Sequence, residues 1–191
     1  EEIIKEVKTP NYHKVFELVG KIYSRKEMLD CGEKNIEWLR SVLGKDVAIA
    51  IENNNYLPAE AHEIVTDGDF ISELVNNNDI NFLFDIAHAM VTSHNKKINF
   101  YDYINTLPLN RMIQVHICQP KIPKSVDRVA YDAHDEPNAT MFNMVEELLN
   151  KYSKIDYLTI EYYRDIDILN KSLDELNNRL DNIYKWKIDH F

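Results

Sequence analysis

Seven residues of metal-binding type lie where short apolar runs end, or just beyond those ends. They are Glu52, Asp85, His88, His116, Asp132, His134 and Glu161. Imidazole and carboxylate donors together suit zinc, iron or manganese better than calcium. Seven such donors exceed what one tetrahedral ion uses, so we expect two or three ions that are bridged by carboxylates.

Four short β-rich runs precede these residues and must position them. The runs span residues 47–52, 80–85, 112–116 and 157–161. They are mostly apolar or β-branched with little polar alternation, which is typical of strands buried on both faces of a parallel sheet. Because the carboxyl ends of parallel strands meet at one edge, where α/β enzymes place their active sites, we expect the metal-type residues to share one cavity.

Amphipathic segments before and between the β-rich runs predict helices. The predicted helices span residues 12–42 (broken in two near 30–32), 67–76, 100–107, 138–152 and 168–186. The alternation of strand and helix predicts an α/β fold with right-handed parallel crossovers. The longest predicted loop is Gln119–Asp135, and long loops in compact domains are often functional.

Composition limits the class of function. The chain has 191 residues, of which 45% are hydrophobic and 28% charged, as expected for one globular domain. A net charge of -10 makes nucleic acid a poor partner, and apolar runs of about five residues are too short to span a bilayer. The two cysteines, Cys31 and Cys118, form no disulfide framework and favour a cytoplasmic location. Cys118 is expected to be either a packing residue or a neighbour of the metal.

Longer motifs around the metal-type residues resemble one family, the multinuclear non-haem iron-dependent oxidative enzymes, whose best-known relative acts in methanobactin biosynthesis. The resemblance is carried by residues 84–95 (FDIAHAMVTSHN), 103–116 (YINTLPLNRMIQVH), 131–135 (YDAHD) and 159–161 (TIE). The order of the ligands also resembles the wider superfamily of xylose-isomerase-like TIM barrels, which includes zinc-dependent apurinic endonucleases.

This resemblance implies a (β/α)8 TIM barrel. The chain would supply about the C-terminal four strand–helix units, as a single partial domain over residues 1–191. Nothing in residues 1–46 resembles the early barrel strands, which carry further histidines in relatives, so we expect the C-terminal portion of a longer chain. The resemblance implies that the seven residues above are ligands of two or three iron ions. It also implies that four more residues support the ligands or contact the substrate: Asn53, His94, Asn95 and Asp135.

The activity that the resemblance implies is an O2-dependent oxidation of a ribosomally made precursor peptide, commonly at cysteine. A partner protein often delivers the peptide in this family. Three alternatives stay open on the ligand order alone. A sugar isomerase or epimerase and an abasic-site endonuclease of the same superfamily would use manganese or zinc, and a non-catalytic barrel remnant would keep the ligands without activity.

The sequence departs from the family pattern just after His116. The run from His116 to Pro120 lacks the second histidine that many relatives carry.

Overall fold

A four-stranded parallel sheet lies at the centre of the computed structural model, which describes residues 4–8, 14–18, 21–58 and 63–190. Its strands, in spatial order, are β3 (Ala50–Glu52), β4 (Asn81–Asp85), β5 (Met112–Ile117) and β8 (Tyr157–Ile160). They coincide with the four predicted strands, although β3 is shorter than predicted. The parallel sheet with alternating strands and helices confirms the predicted α/β fold.

Helices flank this sheet. They are α1 (Arg25–Leu43), α2 (Gly68–Asn77), α3 (Ile86–Lys96), α4 (Phe100–Ile104), α5 (Ala139–Lys151) and α6 (Ile166–His190). The predicted break near residues 30–32 is wrong, because α1 runs through Gly32 without interruption. A β-carbon at Gly32 would lie only 2.7 Å from Leu74 of α2, so this glycine allows the two helices to pack closely. Within the described residues, no helix is long and apolar enough to cross a membrane.

Two antiparallel hairpins accompany the parallel sheet. In the first, β1 (Ile4–Lys8) pairs with β2 (Lys14–Leu18), so the prediction that a helix begins at residue 12 is wrong over the second strand. In the second, β6 (Gln119–Lys121) pairs with β7 (Tyr131–Asp135), within the segment that the sequence predicts as a loop. Cross-strand pairing decides both cases, and local sequence carries little of that information.

One face of the parallel sheet carries the hydrophobic core. Phe82, Phe84, Val115 and Ile117 are at most 1% exposed and belong to the same cluster as buried residues of α2 and α5. Successive side chains of a strand point to opposite faces, so the residues between them point away from this core. On that side Gln114 donates a hydrogen bond to Thr159, and both are partly exposed. The expectation of burial on both faces is therefore not met among the described residues.

Candidate metal centre

Asp85 ends strand β4 and at the same time caps helix α3. Its Oδ1 accepts a hydrogen bond from the backbone N–H of His88 at 2.6 Å. Because the strand passes into the helix without a loop, His88 lies in the first turn of α3, beside the strand ends. In the sheet register Asp85 is the direct partner of His116 on β5. The order of the strands and this cap bring three of the predicted ligands together.

Six of the seven predicted ligands form a closed ring in which carboxylates and imidazoles alternate. In order around the ring they are Glu52, His116, Glu161, His134, Asp132 and His88. Successive oxygen–nitrogen pairs lie 3.1, 3.1, 3.3, 3.0, 3.4 and 3.6 Å apart, and the last pair closes the ring. The side chains that the strand ends are expected to bring together thus lie within 3.6 Å of their neighbours in the ring.

Asp85, the seventh predicted ligand, contacts this ring from the buried side. Its Oδ2 lies 3.9 Å from His88 Nε2 and 3.9 Å from His116 Nδ1. The side chain is fully buried, and Oδ2 has no hydrogen-bond partner among the described residues. Burying a carboxylate oxygen without a partner costs several kcal/mol, so such atoms usually face a cation or an ordered water. The Asp85 carboxylate fits a metal ion as that partner.

The proton affinities of the ring follow from burial and from its alternating charges. Burial raises the pKa of Asp85 to about 7. Burial lowers the pKa of His88, but the hydrogen bond to Asp132 and the charge of Asp85 outweigh it and raise the pKa to about 9. The pKa of His116 is also raised, because Glu52 and Glu161 outweigh its burial. Without metal, protonated imidazoles therefore compensate the carboxylates.

Asn53 contacts two of the predicted ligands, Asp85 and His88, through hydrogen-bonding groups. Its Nδ2 donates to the Asp85 carbonyl oxygen at 2.9 Å, and its Oδ1 accepts from the Asp85 N–H at 2.9 Å. Its own carbonyl oxygen lies 2.8 Å from His88 Nδ1. A carbonyl at one ring nitrogen leaves the other nitrogen directed at Asp132, as is common for ligand histidines.

Asp135 and Arg164 fix the backbone around His134. Asp135 forms ion pairs with Lys121 and Arg164 and contacts no histidine of the ring in the described structure. Arg164 also donates to the carbonyl oxygen of Ala133. His134 lies between these two anchored residues with a φ of 45°, a left-handed conformation that costs a non-glycine residue free energy. The two anchors hold this conformation, in which the imidazole reaches Asp132 and Glu161.

His94 and Asn95 lie in the last turn of α3, away from the ring. His94 Nε2 is 2.9 Å from the carbonyl oxygen of Arg128. Asn95 donates to the carbonyl oxygens of Tyr56 and Ala130 and accepts from the Ala130 N–H, at 2.7, 3.0 and 2.8 Å. Both side chains use their polar atoms on the backbone of neighbouring segments. They fasten the loops beside the site to α3.

Cys118 is the residue of the site that the sequence leaves undecided. Its side chain is fully buried, and its thiol donates to Asp132 Oδ1 at 3.4 Å. Burial and the surrounding carboxylates raise the pKa of the thiol far above its usual range. The only signal in the sequence is its spacing of two residues from His116, which cannot show where a side chain beyond the strand end points.

Among the residues that the structure describes, three sets of potential donor atoms lie close enough together to hold an ion, within 4.8 Å of one another in each set. The sets are Glu52, Asp85 and His116; Asp85, Cys118 and Glu161; and Cys118, Asp132 and His134. Oxygen and nitrogen donors in this mixture fit iron, zinc or manganese. The unpartnered Asp85 oxygen and the donor chemistry therefore both fit a metal-binding site.

Curated relatives match the chain over part of its length. A UPF0276 protein from Caulobacter sp. (strain K31) is 28% identical over 112 residues, which are 58% of this chain and 40% of the relative. A UPF0276 protein from Acaryochloris marina is 25% identical over 132 residues, which are 69% of this chain and 46% of the relative. The chain thus spans less than half the length of these relatives.

A solved structure shares the fold. The xylose isomerase domain containing protein from Salmonella typhimurium LT2 superposes with a TM-score of 0.53 over 83% of this chain and 60% of that chain, at 11% identity. This likeness supports the xylose-isomerase-like TIM-barrel fold that the ligand order resembled.

A sequence profile of a family described as RiPP precursor modification enzyme MbnB/TglH/ChrH, where RiPP denotes a ribosomally made and modified peptide, matches residues 11–184. The match covers most of the chain, which therefore belongs to the MbnB/TglH/ChrH family of RiPP precursor modification enzymes.

Proposed function

We propose that this chain carries the multinuclear iron centre of an oxidase or oxygenase that modifies a ribosomally made precursor peptide, with cysteine as the residue that is modified. The observation that carries the proposal is the closed ring of alternating carboxylates and imidazoles, with the unpartnered Asp85 oxygen on its buried side. Membership of a family of RiPP precursor modification enzymes supports peptide as the substrate class.

The six ring residues and Asp85 are the proposed ligands: Glu52, Asp85, His88, His116, Asp132, His134 and Glu161. When bound, two or three iron ions would activate O2 and accept electrons from the substrate. Seven side chains over two or three ions leave coordination positions for substrate and O2, as catalytic sites require. Asp85 belongs to two of the donor sets and would hold an ion together with the residues of either set.

The ring has an exposed side and a buried side, which sets how a substrate approaches. The side chains of Glu52, His134 and Glu161 are 36%, 31% and 27% exposed. Those of Asp132 and Asp85 are 7% and 0% exposed. A peptide side chain would therefore enter over the exposed members, while the buried members exclude water from the opposite side.

The supporting residues fix the ligands before the substrate arrives. Asn53 holds the Asp85 backbone and faces the His88 ring, and Arg164 anchors the chain on both sides of His134. Such support reduces the reorganisation that binding an ion would otherwise require. Such a division between ring and support is what a preorganised metal site of any chemistry requires of its protein.

The test is to purify the protein without O2, load it with Fe(II), and measure bound iron, its Mössbauer spectrum and O2 uptake. The substrate assay is co-expression with each short peptide encoded beside the gene, followed by mass spectrometry of the peptide. We expect more than one iron per chain and an oxidative mass change that disappears in His116→Ala. Zinc alone with no O2 uptake and no change in peptide mass would overturn the proposal. Ketose turnover with one manganese, or cleavage of an abasic oligonucleotide with zinc, would favour the isomerase or the endonuclease.

A further inference from the structure

Cys118 occupies a position in the metal centre for which the proposed function does not account. It follows β5 directly and is fully buried, whereas Cys31 on α1 is exposed. A cysteine that only fills space would be surrounded by apolar side chains. The Cys118 thiol instead contacts a carboxylate, with Sγ 3.4 Å from Asp132 Oδ1.

The sulfur belongs to two of the three donor sets. With Asp132 and His134 it forms one set, and with Asp85 and Glu161 it forms another, each with all donor atoms within 4.8 Å. Cys118 is thus shared by one set on the Asp132–His134 side of the ring and one set that contains the buried Asp85. An ion within reach of either set would have the sulfur as a near neighbour.

A second observation points to an ion at the same place. Asp85 Oδ2 is fully buried and has no hydrogen-bond partner within the described part of the chain. This carboxylate shares a donor set with Cys118 and Glu161. A buried oxygen without a hydrogen-bond partner is the kind of atom that usually faces a bound ion or an ordered water. An ion in contact with this oxygen would lie within reach of the Cys118 sulfur.

We propose that Cys118 coordinates one ion of the metal centre through its sulfur, together with Asp85 and Glu161 or with Asp132 and His134. Coordination replaces the S–H bond by a sulfur–metal bond, and the proton leaves to solvent. A sulfur ligand biases the site toward iron or zinc and against magnesium, calcium or manganese. This inference rests on the proposed metal centre and adds a ligand to it.

The experiment uses the Cys31→Ser variant of the chain, in which Cys118 is the only cysteine. Metal-free protein is titrated with Co²⁺ alone under nitrogen, and bound cobalt is examined by near-ultraviolet absorption and X-ray absorption. We expect a thiolate-to-cobalt charge-transfer band and a sulfur shell at about 2.3 Å, beside nitrogen and oxygen at about 2.0–2.2 Å. This measurement leaves position 118 unchanged, so it does not depend on whether a variant there folds.

The matched comparison is the same variant with Cys118→Ser added. We expect this protein to keep bound cobalt at a weaker affinity, by about tenfold, and to lose the band and the sulfur shell. Cobalt bound to oxygen and nitrogen only in Cys31→Ser would overturn the role of Cys118 and leave the metal centre standing. No bound cobalt in Cys31→Ser or in the unmodified chain would overturn both.

Discussion

Asn53 and Asp85 exchange two hydrogen bonds of 2.9 Å across the ends of neighbouring strands β3 and β4. The amide of one residue satisfies the backbone of the other at the point where Asp85 turns from strand to helix. The carbonyl oxygen of Asn53 also faces His88 Nδ1. Asn53 therefore fixes both the position of the Asp85 backbone and the orientation of the His88 ring. The metal centre therefore depends on a residue that is not itself a proposed ligand.

Replacing Asn53 by alanine should weaken the fold and the metal site together. The substitution removes one hydrogen bond from the buried N–H of Asp85 and one from its C=O, which we expect to lower the free energy of unfolding by about 1–3 kcal/mol. Metal affinity should fall by about tenfold, because His88 and Asp85 lose their support. Urea unfolding and Co²⁺ titration measure the two effects. The control is Asn54→Ala at the exposed neighbour, and equal effects from both variants would contradict the role of Asn53.

Replacing Asp85 by asparagine should separate stability from metal binding. The amide oxygen can still cap α3, while the charge that burial disfavours is removed. We expect the metal-free variant to be at least as stable as the unmodified protein at pH 8, with metal affinity lower by at least about tenfold. Thermal unfolding with a chelator and metal titration measure the two quantities. A variant that binds metal normally would show that the unpartnered oxygen has no role in binding.

The stability of the metal-free protein should fall as pH rises from 6.5 to 9. The folded-state pKa of His88 is raised from 6.5 to about 9, so its stabilising proton is fully bound below pH 6.5 and is lost as pH rises through 9. Burial raises the pKa of Asp85 from 3.8 to about 7, so its contribution has the same sign but is lost mostly below this range, as pH rises from about 4 to 7. We expect a loss of about 3 kcal/mol, measured by urea unfolding with a chelator.

The matched variant for this pH series is His88→Gln, which cannot titrate. Its stability should depend less on pH over the same range. A flat profile for the unmodified protein, or parallel profiles for both proteins, would contradict the assignment of this pH dependence to His88.

Arg164 should affect metal binding through the backbone of His134. Lysine in its place keeps the charge but cannot reach both Asp135 and the Ala133 carbonyl with a planar fork. We expect Arg164→Lys to weaken metal affinity by about 10-fold to 100-fold, with a change in unfolding free energy below about 1 kcal/mol. The control is Arg128→Ala, in the segment between β6 and β7, since the Arg128 side chain is exposed. Unchanged affinity in Arg164→Lys would mean that the ring holds His134 unaided.

The four strands of the parallel sheet and the grouping of metal-type residues at their ends could be predicted from the pattern of the sequence. Apolar β-rich runs mark β3, β4, β5 and β8, and parallel strands must bring their carboxyl ends to one edge. The residue types at those ends then determine the donor chemistry. Asp85 has both roles that are possible for an aspartate at a strand end. Its Oδ1 caps helix α3, and its Oδ2 is a carboxylate oxygen without a hydrogen-bond partner among the described residues.

The parts that sequence did not predict depend on tertiary contacts. Gly32 has the local signal of a helix break, but close packing against Leu74 keeps it helical. The β6–β7 hairpin forms through pairing of segments that have little strand pattern of their own. The directions of the His94 and Asn95 side chains depend on their positions around helix α3 and on loops that are distant in sequence. Spacing alone could therefore not predict that both side chains contact backbone groups of those loops.

The ring of carboxylates and imidazoles should hold more than one metal ion, and the proposed function depends on this. The most direct measurement is the metal content of the protein after anaerobic loading with Fe(II) and gel filtration. The comparison is a variant that combines His116→Ala with Asp132→Ala and so removes a ligand from each side of the ring. We expect two or three ions per chain in the unmodified protein and less than one in the variant. Equal metal content in the two proteins, or none in either, would contradict a multinuclear centre.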